Sequence, residues 1–234
     1  MKIYNQHKNK LVNSVFKKVS NNYDLMNDIM SFGVHRIWKN NLIEWMGPEK
    51  NSKLIDVASG TGDLAKLFSV KLKNTCEIDC VEPNLNMLEN GKNKLRNYKN
   101  INWHKNPAEK LPFQDEIFDY YSISFGIRNV DNIELAMKEA YRVLKVGGRF
   151  FCLEFSKIEN EILNSLYSKY SSILPKIGKI IVGDEAPYDY LVKSIENFYN
   201  QNELVNIMKK VGFSDVEFRN LSGGIAAIHM GWKV

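Results

Sequence analysis

Three carboxylates and a glycine turn in the first part of the chain have the types and spacing of a nucleotide-binding loop. The turn is Gly60-Thr61-Gly62; Asp56 and Asp63 flank it, and Glu82 follows 20 residues after Gly62. An apolar run precedes the turn and a helical pattern follows it. This places the turn at the carboxyl end of a strand, where the ligands of parallel sheets bind. Spacing alone leaves a dinucleotide open, because Ala65 can stand for the third glycine of the dinucleotide motif.

The charges around the turn favour a different ligand. Two carboxylates beside a diphosphate would repel it, whereas they would attract a cationic adenosyl compound that lacks phosphate. S-adenosylmethionine has that chemistry: a sulfonium, an ammonium and an adenosine. Glu82 is placed where a carboxylate accepts both ribose hydroxyls. Taken singly, Asp63 is also explained as a helix-terminal acid and Glu82 as an exposed acid at a strand end.

The elements that must position these residues alternate between strand and helix. Strand patterns cover 53–58, 76–82, 100–105, 117–125 and 147–155, and helical patterns cover 62–73, 84–97 and 131–144. Asn84 and Asp131 are the predicted N-caps of the last two helices. Such alternation predicts a doubly wound, mostly parallel sheet. Two strand patterns around Ser222-Gly223-Gly224 predict an antiparallel hairpin, which brings the α/β sheet to seven strands.

We expect a single domain over residues 1–234. Within it, 1–47 is an amphipathic N-terminal helical cover and 53–156 is the cofactor-binding core. Residues 157–200 form a helical insertion, and 201–234 hold the last helix and the hairpin. Both helical regions are expected to lie over the carboxyl ends of the strands.

Composition excludes several classes of protein. Hydrophobic residues make up 44% of the 234 and aromatic residues 12%, which suffices for a core and argues against disorder. No apolar run approaches the roughly 20 residues of a membrane span and no secretory signal is visible, so we expect a cytoplasmic chain. The net charge of +5 is spread over amphipathic helices, which argues against a nucleic-acid partner but allows peripheral contact with the inner membrane face. The three cysteines lack metal-site spacing, so no metal is predicted.

Two further loops are predicted to complete the pocket. Pro107 and Ala108 follow the third strand, where Ala108 can pack against the adenine edge. Residues 124–129 follow the fourth strand and reach the ligand crevice of such sheets. Enzymes that methylate nucleobase amino groups carry Asn/Asp-Pro-Pro-aromatic here, whereas this chain has Phe125-Gly126-Ile127-Arg128. Base methylation is therefore disfavoured.

The chain closely resembles the quinone-biosynthesis C-methyltransferases, the family of demethylmenaquinone and polyprenyl-methoxybenzoquinol methyltransferases. The likeness extends from Val15 onward. It rests on segments such as VSNNYDLMNDIMSFGVHRIWK, RVLKVGGRFFCLEFSK and NLSGGIAAIHMGWK, which go beyond the general methyltransferase fold. The resemblance implies the class I methyltransferase fold and S-adenosylmethionine-dependent C-methylation of a polyprenylated quinol in ubiquinone or menaquinone biosynthesis. A homodimer or a quinone-biosynthesis complex is compatible with it.

The resemblance also implies which residues contact the cofactor: Thr61, Glu82, Pro107, Ala108 and Ser124. Ser59, Pro107, Val146 and Tyr199 depart from the family pattern, and the departure at Pro107 affects a cofactor contact. An acidic or amide residue usually stands where this chain has Pro107, so the adenine amino group would need Asn106 or a backbone carbonyl, or would lack that contact.

Methylation of a hydroquinone ring carbon needs an electron-rich ring, hence a phenolate or a strongly polarised phenol, whose ordinary pKa is near 10. Arg128 and Asn129 are the candidates to orient and polarise that oxygen; an arginine is too basic to remove the proton but stabilises phenolate. Tyr23, in the helical cover, is the third catalytic candidate. Ion pairing of Arg128 to Asp131 or to the N-terminal helices, and core packing of Tyr23, are the alternatives. His229 is a base by type only, and packing is favoured for it.

Two other functions remain open at this point. A non-catalytic cofactor-binding subunit of a quinone-biosynthesis complex is suggested by Pro107. An RNA methyltransferase is suggested only by the positive charge.

Overall fold

The computed structural model describes Asp28, Met30, Ser31 and residues 33–234. The strands in this part are β1 Lys53–Val57, β2 Glu77–Val81, β3 Ile101–His104, β4 Phe118–Ser124, β5 Leu144–Phe155, β6 Ser214–Leu221 and β7 Ala226–Trp232. The helices are α1 His35–Met46, α2 Asp63–Lys71, α3 Leu85–Lys94, α4 Ile133–Val143, α5 Glu161–Val182, α6 Ala186–Glu196 and α7 Gln201–Val211. A short 3₁₀ helix, Ile127–Asn129, follows β4.

The strands form one mixed sheet in the order β3-β2-β1-β4-β5-β7-β6. Strands β1 to β5 pair in parallel, and β7 runs antiparallel to both β5 and β6. The predicted fold class is therefore confirmed, including the terminal hairpin. The chain changes direction of winding between β1 and β4, which makes the carboxyl ends of these two strands the expected ligand crevice.

Helix caps show where the local sequence pattern was sufficient and where it was not. Asn84 caps α3, since its side chain accepts the Met87 N–H at 3.1 Å, as predicted. The predicted cap Asp131 of α4 is wrong by one residue: Asn132 accepts the Leu135 N–H at 3.1 Å. The carboxylate of Glu109 accepts the backbone N–H groups of both Asp131 and Asn132, which fixes the chain just before the helix begins.

Helix α1 packs on the carboxyl ends of β4 and β5. Its Trp38 is buried, with its ring 6.3 Å from that of Phe125 and 6.0 Å from that of Phe155. The helix ends at Gly47, which has φ 52° and donates its N–H to the Ile43 carbonyl. This part of the N-terminal region lies where the helical cover was expected.

Helices α5 and α6 pack closely against each other. A Cβ added at Gly178 would lie 2.1 Å from the Tyr188 ring, so the α5 backbone touches the aromatic side chain of α6. From α6, the Tyr190 hydroxyl donates to the Asn129 side chain at 3.0 Å, which connects the predicted helical insertion to the loop after β4. No helix in the described ranges is both long and apolar enough to cross a bilayer. The division into the four predicted segments stays a prediction.

Candidate functional site

A pocket opens at the carboxyl ends of β1 and β4. Four parts of the chain line it. The end of β1 and the turn after it contribute Asp56, Ala58, Ser59, Gly60 and Thr61, and the start of α2 contributes Asp63 and Leu64. Ser124 and Phe125 come from the end of β4, and Lys39 comes from α1. Four of the predicted cofactor residues thus meet here: Asp56, Gly60, Thr61 and Ser124. The Ser124 hydroxyl is buried and has no hydrogen-bond partner in the described part of the chain. A buried polar atom without a partner is costly, so a ligand in this pocket would satisfy it.

The pocket is framed by two strained backbone positions. Ala58, just after β1, has φ 52°, and Phe125, just after β4, has φ 55°. Residues other than glycine rarely adopt this left-handed conformation, which persists where the surrounding structure enforces it and is common at functional sites. A Cβ at Gly126 would lie 2.4 Å from the Cβ of Ala58. The two loops therefore touch, and only glycine fits at the contact.

Glu82 is buried at the end of β2 and held by backbone donors. Its carboxylate accepts the Gly60 N–H at 2.9 Å and the Asn84 N–H at 2.8 Å. Burial raises the pKa of Glu82 to about 7, against the lowering effect of these two bonds. The two backbone donors hold one carboxylate oxygen each, so the Glu82 side chain is fixed beside the glycine turn. The exposed strand-end alternative is wrong, since the residue is 5% exposed.

The electrostatics of the pocket differ from the sequence-based hypothesis. Asp56 is buried, accepts the Ser122 hydroxyl at 2.7 Å, and has its pKa raised to about 7 by burial. Burial would also raise the pKa of Asp63, but the ammonium groups of Lys39 (3.0 Å) and Lys94 (2.7 Å) outweigh it and hold that pKa well below its usual range. The loop is therefore not a bare acidic surface, and it repels phosphate less than the sequence suggests, because Asp56 and Glu82 are partly protonated near neutral pH and the Lys39 ammonium lines the same pocket.

Lys39 is the residue of this pocket that sequence reasoning missed. Its side chain is 10% exposed and reaches Asp63 from α1, 24 residues earlier in the chain. The pattern of α1 marked it only as part of an amphipathic helix. No local signal gives the approach of two segments that far apart.

The glycine turn is fixed from behind by α3 and β3. Gly62 has φ 80°, and a Cβ there would lie 2.7 Å from Leu95 and 2.9 Å from Trp103. Thr61 accepts a hydrogen bond from the Lys94 ammonium at 3.2 Å. The tight turn predicted for this motif is thus needed for packing as well as for ligand approach.

Pro107 and Ala108 lie outside the pocket lining. Ala108 is buried in the core cluster that includes Val81 and Leu111, while Pro107 is exposed. The Asn106 side chain donates to the Lys110 carbonyl at 3.4 Å. Their predicted contact with adenine remains a prediction.

Arg128 is locked into a buried ion pair. Its Nη1 donates to Glu154 Oε1 and to the Phe125 carbonyl, both at 2.7 Å, and the two charged side chains are 1% and 2% exposed. Burial raises the pKa of Glu154, and the Arg128 charge opposes that rise. The sequence did not reveal Glu154, which reads as an ordinary residue of the β5 run. Asn129, next to Arg128, accepts the Tyr190 hydroxyl.

The remaining catalytic candidates, Tyr23 and His229, and one further histidine, His35, are placed as follows. Tyr23 lies outside the described residues. His229 is 1% exposed and bonded to the Gln201 carbonyl at 3.1 Å, and burial lowers its pKa to about 4, in agreement with the packing role. His35 is also buried, and its ring is 2.8 Å from the Asp28 carboxylate.

Comparison with known proteins assigns the chain to a family. The model of the ubiE/COQ5 methyltransferase family matches residues 3–233. The chain belongs to this family. A Rickettsia bellii relative, named ubiquinone/menaquinone biosynthesis C-methyltransferase UbiE, is 48% identical over 240 residues, which cover 100% of this chain and 96% of the relative. A Bartonella tribocorum relative of the same name is 46% identical over 235 residues, covering 97% and 90%.

Solved structures agree with the ubiE/COQ5 assignment at the level of the fold. A SAM-dependent methyltransferase from Thermotoga maritima, described as a possible histamine N-methyltransferase, has a TM-score of 0.65 at 24% identity, covering 94% of this chain and 99% of that one. The resemblance found in the sequence is thus confirmed.

Proposed function

We propose that this chain transfers the methyl group of S-adenosylmethionine to a ring carbon of a polyprenylated quinol in ubiquinone or menaquinone biosynthesis. The observation that carries this proposal is the likeness over the whole chain to relatives named for that reaction. The pocket at the turn between β1 and α2 is the proposed cofactor site, since it holds a buried hydroxyl without a partner beside a locked carboxylate.

Each end of the cofactor has a fitting group. Glu82 would accept the ribose hydroxyls, with Gly60, Thr61 and Gly62 as the turn against which the ligand lies. The Ser124 hydroxyl would donate to or accept from the ligand. The ammonium of Lys39 would pair with the carboxylate of the methionine part, because it lines the pocket and is screened from water. When bound, S-adenosylmethionine supplies an electrophilic methyl group.

Asp56 would contribute through its charge. Its burial keeps the proton bound up to about neutral pH, and a cation in the pocket would favour the ionised form. The carboxylate would then face the cationic part of the ligand without a competing hydration shell. Binding of the cationic ligand would therefore lower the pKa of Asp56 and release its proton.

The acceptor side is proposed to lie at the loop after β4. The Tyr190 hydroxyl donates to Asn129 Oδ1, which leaves the Asn129 amide NH₂ as the donor for a phenolic oxygen. Arg128 would add a fixed positive charge nearby, moderated by Glu154, and would favour the ionised phenol. We propose Arg128 and Asn129 as catalytic residues, together with Tyr23, which lies outside the described residues.

The partners of the chain are also proposals. A polyprenyl tail partitions into lipid, so we propose peripheral contact with the inner membrane face from the cytoplasmic side. Assembly as a homodimer or within a quinone-biosynthesis complex stays a prediction.

The test is methylation by the purified full chain. It would be incubated with methyl-labelled S-adenosylmethionine and a demethylated quinol carrying a single isoprene unit, and the product analysed by mass spectrometry. We expect one labelled methyl group on a ring carbon. Glu82→Gln should weaken cofactor binding in calorimetry, whereas Asp79→Asn, an acid of the same strand that pairs with His104, should not. Binding without turnover would instead indicate the non-catalytic subunit, and absence of cofactor binding would overturn the proposal.

A further inference from the structure

Helix α5 exposes a row of aliphatic side chains to solvent. Ile162, Leu166 and Ile173 are 74%, 60% and 51% exposed, and they are among the ten large apolar side chains exposed in the described ranges. Their spacing of four and seven residues places them on one face of the helix. They extend over roughly 16 Å of the helix axis at 1.5 Å per residue. Isolated exposed leucines are ordinary, but an aligned row on one helix indicates an interaction surface.

Two lysines accompany this row. Lys169 follows Leu166 by three residues and Lys176 follows Ile173 by three, so each lies on the turn beside an exposed aliphatic side chain. Both are exposed, and neither forms an ion pair within the part of the chain that the structure describes. We call these five residues the α5 stripe. It combines apolar groups with positive charge that has no ion-pair partner among the described residues.

The opposite face of α5 is turned to the protein interior. Leu174 is fully buried, and the backbone at Gly178 lies against the Tyr188 ring of α6. Tyr167, on this inner face, is close enough to Arg128 for the guanidinium charge to act on its hydroxyl. Helix α5 therefore has its inner face towards the loop after β4 and presents the α5 stripe to solvent on its outer face.

We infer that the α5 stripe docks on an anionic lipid bilayer, so that the quinol ring reaches the loop after β4 from beneath α5 while its tail stays in the lipid. The aliphatic row would insert at the level of the headgroups and the lysines would meet their phosphates, as in interfacial amphipathic helices. The passage of the tail rests on the proposed function. The docking itself rests on the exposed residues.

A bilayer fits this surface better than a second copy of the chain. In a symmetric pairing the same patch meets itself, which would bring Lys169 and Lys176 of one copy close to those of the other. Like charges at the edge of an apolar contact oppose association. An anionic surface turns the same charges into attraction.

The test is sedimentation of the full chain with vesicles of phosphatidylcholine alone or with added phosphatidylglycerol. We expect binding to the anionic vesicles, at least about tenfold weaker for the variant I162S/L166S/I173S. The variant K169Q/K176Q should lose most of the preference for phosphatidylglycerol. Matched controls change exposed residues elsewhere, L135S/V146S and K66Q/K209Q, and should bind as the wild type. Circular dichroism melting checks that every variant is folded.

Activity separates this inference from the proposed function. The triple serine variant should methylate the single-isoprene quinol at the wild-type rate, but a long-tailed quinol in vesicles more slowly. Vesicle binding equal to that of the wild type would overturn the docking site. A shift from dimer to monomer in light scattering, with vesicle binding kept, would overturn it in favour of a copy-to-copy interface. If the wild type binds vesicles as expected but methylates neither quinol, the proposed function fails while the docking site stands.

Discussion

Replacing Glu154 by glutamine would test whether the buried pair with Arg128 holds the site together. Glutamine keeps the shape and an acceptor oxygen but removes the negative charge, leaving the guanidinium buried with a neutral partner. The two side chains are 1% and 2% exposed, with 2.7 Å between nitrogen and oxygen, so water screens neither charge. Breaking such a pair costs about 3–5 kcal/mol, and because one hydrogen bond survives we expect about 3 kcal/mol. For a chain of this length that lowers the melting temperature by about 6–12 °C.

The same substitution should weaken cofactor binding. Arg128 also bonds the Phe125 carbonyl, and Phe125 lines the proposed cofactor pocket in a left-handed conformation. Loosening the guanidinium would release that strained residue. Calorimetric titration with S-adenosylmethionine should therefore show reduced affinity for Glu154→Gln at a temperature where the variant is folded.

A double substitution and a surface control make the result decisive. The variant R128M/E154L removes both charges and should be more stable than Glu154→Gln alone, because neither charge is then left buried without its partner. Glu44→Gln breaks the exposed pair with Lys71, which lies at 2.6 Å, and should leave the melting temperature unchanged. A shift below about 2 °C for Glu154→Gln would show that the pair is hydrated and refute the reasoning.

Three further predictions concern the cofactor pocket. Gly126→Ala should lower the melting temperature and the affinity for S-adenosylmethionine, because its Cβ would lie 2.4 Å from the Cβ of Ala58. The double variant A58G/G126A removes that clash and should recover part of the melting temperature and part of the affinity measured by titration. Asp56 has a folded pKa of about 7, above its ordinary value, so this group makes the unliganded chain less stable as the pH rises from about 4 to 7. Glu82 and Glu154, whose pKa values are also raised, act in the same direction, whereas His229, whose pKa is lowered to about 4, acts in the opposite direction. Asp56→Asn should therefore shift the slope of stability against pH towards positive values in melts across this range, and an unchanged slope would contradict the assignment. Lys39→Met should weaken S-adenosylmethionine binding about tenfold without affecting adenosine, which has no carboxylate, whereas Lys66→Met, an exposed residue of α2 outside the pocket lining, should change neither; equal losses for both ligands would exclude the proposed pairing.

The sequence predicted what short-range patterns determine. The strands, the glycine turn, the Asn84 cap and the terminal hairpin follow from periodicity and turn chemistry within a few residues, and all are present. The resemblance to the quinone methyltransferases extended this to the family. One short-range prediction was wrong: Asn132 and not Asp131 caps α4, where the Glu109 carboxylate holds the backbone just before the helix.

Such short-range patterns could not predict the hydrogen-bond partners of the site residues. The bond from Lys39 to Asp63 spans 24 positions, that from Arg128 to Glu154 spans 26, and that from Tyr190 to Asn129 spans 61. Each depends on how helices pack on the sheet, which no local signal in a single sequence specifies. The acidic crevice was consequently overestimated, because the compensating lysines come from other elements. The neighbours Ile173 and Leu174 likewise differ in burial, one exposed and one fully buried, because they lie on different faces of α5.

The contact between Ala58 and Gly126 has a consequence for how this enzyme can diversify. It joins the loop after β1, on the proposed donor side, to the loop after β4, on the proposed acceptor side, without space between them, so a mutation that reshapes one loop also disturbs the other. New acceptor preferences are then hard to acquire at the junction without sacrificing the methyl donor. Helices α5 and α6 do not form this contact, so under the proposed function substitutions on them offer evolution, or an engineer, a way to change ring and tail preference that leaves the junction intact.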